Sequence, residues 1–171
     1  MLVGEQPGGE EDRVGLPFLG PCGRVLDDAL HDSGLARDDV YVTNALKHAG
    51  SARRGSQNAR TKPSAADVLA CRRWLESELE AIGPCAVVAL GATAGSALVG
   101  AAYRVASHHG LPVARTIGAW SGPALGTLHP SAVLRAPTSD AKIARYRTLV
   151  EDFRTVAELC EGRSSGRQLA S

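Results

Sequence analysis

Three residues carry groups suited to acid–base and hydrogen-bonding chemistry, and each follows an apolar run. Glu5 follows Met1-Leu2-Val3-Gly4, Asn44 follows Val40-Tyr41-Val42-Thr43, and His129 follows Leu125-Gly126-Thr127-Leu128. A carboxylate can activate water or face positive charge, a carboxamide offers a donor and an acceptor side by side, and a neutral imidazole can donate one hydrogen bond. Apolar runs of this kind read as strands, so all three groups stand at strand ends. In a parallel sheet those carboxyl ends share one edge, where open α/β proteins bind ligands. The three groups can therefore converge on one pocket.

The stretch after the first run is the most distinctive in the chain. Residues 4–12 and their sequel Gly15-Leu16-Pro17-Phe18-Leu19-Gly20-Pro21 make a loop crowded with glycine, proline, carboxylates and one aromatic. Glycine permits close backbone approach and proline keeps the loop stiff. Leu2-Val3 reads as the end of a buried strand that starts early, and a segment upstream of it is expected.

The elements that must position this loop follow from periodicity. Val25, Leu26, Ala29 and Leu30 fall at helical spacing between Gly23 and Ser33, and Gly34 supplies the stop. Lys47 to Pro63 reads as a long loop with Lys47, Arg53, Arg54, Arg60 and Lys62 and no acidic residue. That loop is either a solvated segment or a surface for phosphate. Ser64-Ala65-Ala66-Asp67 has the pattern of a capping box and opens a helix with Val68, Cys71, Leu75, Leu79 and Ile82 on one face, ended by Gly83-Pro84. Ala86-Val87-Val88-Ala89-Leu90 is apolar throughout, as a parallel strand covered on both faces is. Gly91-Ala92-Thr93-Ala94 turns it into a short helix; lacking a dinucleotide fingerprint, the turn reads as strand-to-helix packing. Val105 to Ser121 is an edge hairpin or an extended excursion, in which His108-His109 has no metal-ligand spacing. A last helix starts near Thr138 and runs past Phe153.

Strands alternating with helices predict an α/β fold, three-layer α/β/α with a central four-stranded, mainly parallel sheet. One domain is expected over residues 1–160, with a polar, disordered tail over 161–171. The hydrophobic fraction of 44% with few aromatics makes the core mostly Ala, Val and Leu, and a net charge of +1 confines any attraction to polyanions to a local patch. No signal peptide or membrane-length apolar run is visible, which points to a cytoplasmic protein with no membrane partner. The four cysteines, Cys22, Cys71, Cys85 and Cys160, show no CxxC spacing and read as reduced core thiols or as metal ligands.

Gly4-Glu5-Gln6-Pro7-Gly8, Glu11-Asp12 and Gly15 to Pro21 together resemble the first motif of the uracil-DNA glycosylase superfamily, in particular family 4 and its X-type relatives. Val42-Thr43-Asn44-Ala45-Leu46-Lys47 and His129-Pro130-Ser131-Ala132-Val133-Leu134-Arg135 are similar to its second and last motifs, in the same order. The resemblance implies a DNA repair glycosylase, here acting as a monomer, that hydrolyses the N-glycosidic bond of uracil in DNA after base flipping. Cleavage builds positive charge on the sugar and negative charge on the departing base, so the site needs a donor at the base oxygen and a carboxylate near the sugar or water.

By the same resemblance His129 donates to uracil O2, Glu5 activates water, and Asp12 matches a further family acid. Asn44 reads the N3 and O4 edge of uracil, whose donor and acceptor cytosine reverses. Phe18 stacks on the flipped base, and Gln6 follows the X-type pattern. Pro7, Gly8, Lys47, Arg60, Pro130, Ser131 and Arg135 would hold the DNA backbone. X-type members carry a Lys-Arg-Arg-Ile-His run whose His is joined covalently to uracil-containing DNA. This chain has Ser56 to Pro63 there, with Arg60 near the His position, so hydrolysis is expected over covalent trapping. The alternative is an X-type protein that recognises or traps uracil-DNA without turnover, and a more distant one a folded, inactive paralogue. The family also implies a [4Fe-4S] cluster. Cys71 matches its third ligand and Cys85 lies near the fourth, so the cluster is expected to be incomplete in this chain.

Overall fold

The computed structural model describes residues 1–49, 51–54, 57–60 and 63–168, with side chains at 1–49 and 63–162. In chain order the elements are β1 (Leu2–Gly4), α1 (Gly9–Val14), α2 (Pro21–Asp32), β2 (Val42–Asn44), β3 (Ser51–Arg54), β4 (Gln57–Arg60), α3 (Ala65–Ile82), β5 (Val87–Leu90), α4 (Ala92–Leu98), α5 (Val105–His108), β6 (Val113–Ile117), β7 (Trp120–Thr127), α6 (Pro130–Leu134) and α7 (Ser139–Gln168). The central sheet has the order β2-β1-β5-β7-β6. Its first four strands run parallel and β6 runs antiparallel to β7.

Residue alternation assigns the two faces of this sheet. Val3, Val87 and Ala89 point to one side, where Leu75 and Leu79 of α3 and Ala94 and Leu98 of α4 cover them. Leu2, Val88, Leu90 and Leu125 point to the other, against Leu26 and Leu30 of α2 and Leu149 and Phe153 of α7. β5 is buried at every position because it lies in the middle of the sheet and is covered on both faces. The three-layer α/β/α expectation holds, with five strands instead of four. The added strand is β6, the first half of an edge hairpin with β7; three of its five residues are exposed, so no apolar run marks it.

Other boundaries moved for local reasons. The Ser64 capping box forms as read: Asp67 N donates to Ser64 Oγ at 3.2 Å and Ser64 N to Asp67 Oδ2 at 2.8 Å. Ile82, expected on the buried face of α3, is 45% exposed. The loop after Glu5 contains a helical element, α1, and the basic segment contains an antiparallel ribbon, β3 paired with β4. The helix α7 continues to Gln168, through part of the tail read as disordered. Among the described residues no helix is long and apolar enough to cross a membrane.

Two long-range ties hold the layers. Cys85 and Cys160 form a disulfide that joins the approach to β5 to α7, so neither is a reduced thiol. Asp152, on α7 and 5% exposed, accepts a hydrogen bond from Thr127 Oγ1 at 2.5 Å, and its Oδ1 lies 3.1 Å from Nδ1 of His109. Burial pushes the Asp152 carboxyl above its ordinary range, with the contacts from Thr127 and His109 opposing. His109 is thus a partner of a buried acid.

Candidate active site

A cavity of about 490 Å³ opens at the carboxyl edge of the sheet. Glu5 and Gln6 reach it from the end of β1, Asn44 is the last residue of β2, Gly91 and Ala92 follow β5, and His129 follows β7. Four adjacent parallel strands therefore each deliver part of the lining, as their order predicts. Phe18, Gly8, Ser131 and Arg135 complete the set of sequence-predicted residues on this wall.

The imidazole of His129 is held at the N-terminus of α6. Its Nδ1 accepts the Ser131 N–H at 3.1 Å and lies 2.8 Å from Ser131 Oγ. An Nδ1 that accepts from a backbone amide carries no proton in the neutral ring, which leaves the proton on Nε2. Burial lowers the pKa of His129, and Arg135 acts in the same direction; Glu5 and Glu11 oppose them. The site thus favours a neutral imidazole with one donor.

Phe18 stacks on His129, with ring centroids 5.7 Å apart and planes 29° apart. It adopts a left-handed backbone, φ 57°, uncommon for an aromatic residue. Glu11 explains how that geometry is kept. Its Oε1 accepts Leu19 N–H at 3.0 Å and its Oε2 accepts Gly8 N–H at 2.5 Å, so one carboxylate joins the two halves of the loop. Beneath them Gly4 must lack a side chain: a Cβ there would stand 2.3 Å from Asn44 Oδ1 and 2.8 Å from the Phe18 ring. Asn44 is 7% exposed, which makes its amide atoms costly to leave unpaired.

Not every predicted residue joins this cavity. Asp12 and Pro7 line a neighbouring cleft with Lys47, and Asp12 accepts the Ala49 N–H at 3.2 Å. The Lys47 ammonium is engaged by Glu78 at 2.7 Å, by Thr43 Oγ1 at 2.8 Å and by the Asn44 carbonyl at 2.8 Å, and therefore braces the end of β2. Pro130 is buried as the first residue of α6. The side chains of Arg53, Arg54, Arg60 and Lys62 lie outside the described residues. Sequence reasoning missed Glu11, for which the signal was its place three residues after Gly8, the capping-box position. It also missed Cys22, which lines the cavity and whose thiol is raised chiefly by burial, and Thr93, whose hydroxyl donates to Glu5 Oε2 at 2.5 Å.

The expected iron–sulfur ligands do not assemble. Cys85 is consumed by its disulfide with Cys160, which corrects its reading as a ligand; Cys71 is a free, half-buried thiol on α3. Among the described residues no group of three His, Cys, Asp or Glu could hold a metal ion. The side chains present do not fit a [4Fe-4S] cluster, which needs cysteine thiolates gathered at one place.

Fold and pocket define an α/β protein with a compact, polar, aromatic-walled site at the carboxyl edge of a parallel sheet. The family description "Uracil DNA glycosylase superfamily" matches residues 1–154, and the chain belongs to that family. It is 36% identical over 156 residues to a type-4 uracil-DNA glycosylase of Thermotoga maritima, covering 90% of this chain and 73% of that protein. Type-4 enzymes of Pyrobaculum aerophilum (35% identity, covering 80% of this chain and 68% of that protein) and Archaeoglobus fulgidus (32%, 94% and 76%) are similar to it as well.

Proposed function

We propose that this protein is a DNA repair enzyme that excises uracil by hydrolysing the N-glycosidic bond of a flipped-out deoxyuridine. The observation that carries this reading is the meeting of Glu5, Phe18, Asn44 and His129 around one cavity. The flipped base lies against Phe18, and Asn44 pairs with its N3 and O4 edge. As the C1′–N1 bond breaks, its electron pair leaves with the base, and His129 Nε2–H donates to the O2 that gains the charge. Glu5 takes a proton from the water whose oxygen attacks C1′, and the uracil anion recovers a proton on release. Arg135, Gly8 and Ser131, at the cavity wall, hold the flanking phosphates, so affinity falls steeply with salt. The substrate partner is uracil-containing DNA, bound by a monomer in the cytoplasm. The [4Fe-4S] cluster of the wider family plays no part in this scheme.

The test is incubation with a labelled uracil-containing oligonucleotide, alkali treatment and a denaturing gel, with Asn44→Ala as control. Cleaved product accumulating over many turnovers, and lost in the control, supports the reading. A shifted band that survives denaturation would indicate covalent trapping instead, and the absence of both cleaved product and shifted band would refute the enzymatic reading.

A further inference from the structure

We propose that Thr93 is a positioning residue for Glu5, fixing which carboxylate oxygen faces the reacting centre. Thr93 is the second residue of α4, in the turn after β5, and its Oγ1 donates to Glu5 Oε2 at 2.5 Å across 88 residues of sequence. Glu5 itself stands past the end of β1, the strand beside β5. Gly91 and Ala92 line the cavity and Thr93 follows them, so its hydroxyl anchors one oxygen of a carboxylate whose residue lines the same cavity.

A glutamate has three rotatable side-chain bonds, and a water-activating oxygen works only if it is held at one place. With Oε2 held by Thr93, Oε1 is left as the oxygen for water. A threonine suits this task because its β-branch restricts χ1, so the donor is itself held. The turn thus does more than pack a strand against a helix. This inference rests on the reading of Glu5 as the base that takes the water proton, and the experiment separates the two.

Thr93→Val keeps the shape and removes the donor. Expected is a loss of kcat on the order of 10- to 100-fold with KM within about twofold, the size a misplaced catalytic group brings. Thr93→Ser should recover most of the rate, and adding Thr93→Val to Glu5→Ala should cost nothing further. A Thr93→Val enzyme with wild-type kcat, or an equal loss in the Glu5→Ala background, would overturn the proposal. If the wild type shows no turnover, the proposed function falls. A crystal structure of Thr93→Val then decides the positioning alone: a Glu5 carboxylate that has left its native rotamer supports it, and an unmoved one refutes it.

Discussion

Nδ1 of His129 accepts the Ser131 N–H at 3.1 Å, and this backbone contact fixes which ring nitrogen carries the proton. With burial and Arg135 both disfavouring the cation, the imidazole should titrate below its ordinary value of about 6.5. Arg135→Ala removes a cation and should move that titration upward, while Glu5→Gln removes an anion and should move it downward. An NMR titration of the ring in the three proteins checks both directions.

The space above Gly4 is already occupied by Asn44 and Phe18. Gly4→Ala should push both from the cavity, lowering kcat/KM on the order of 100-fold. The added methyl should also cost about 1–3 kcal/mol of stability, as overpacking does. Single-turnover kinetics and denaturant unfolding measure the two effects separately.

Asp152 holds its proton to higher pH in the folded chain than in the unfolded one. Its contribution is therefore greatest in acid and declines as pH rises from about 4, the ordinary Asp value, through the raised folded value. The melting temperature of the wild type relative to Asp152→Asn should fall across that window and then level off. A wild type whose melting temperature rises relative to that of Asp152→Asn as pH increases would contradict the assignment.

The disulfide between Cys85 and Cys160 spans 75 residues. Breaking it should cost about 2–4 kcal/mol, because the unfolded chain gains freedom. A reductant should lower the melting temperature of the wild type but not of Cys85→Ser. Unreduced, denatured protein should alkylate at Cys22 and Cys71 only.

Much of the site was legible because Glu5, Asn44 and His129 each end an apolar run, and a parallel sheet puts such ends together whatever the intervening loops do. The surroundings of Lys47 were hidden for the opposite reason. Its partner Glu78 lies 31 residues on, upon a helix whose rotation the sequence does not print, so the contact that ties this ammonium to α3 could not be read. Glu11 stood in a run of three acids in which composition distinguishes none. Thr93 and the Cys85–Cys160 pair share that character, being contacts between elements far apart in sequence and visible only once the layers are stacked. β6 falls in the stretch read as an edge hairpin or an extended excursion, and it was not counted in the sheet because an edge strand with exposed residues carries no apolar signature.

The order β2-β1-β5-β7 also acts as a ruler. Neighbouring strands stand about 4.8 Å apart, so the strands bearing Asn44 and His129 are held roughly 14 Å from each other by the sheet itself. A strand inserted between them would stretch the pocket beyond the reach of one pyrimidine, and a strand lost would close it. Strands added at the margins, outside β2 or beyond β6, would leave the separation of Asn44 and His129 unchanged, because only the strands between them set it.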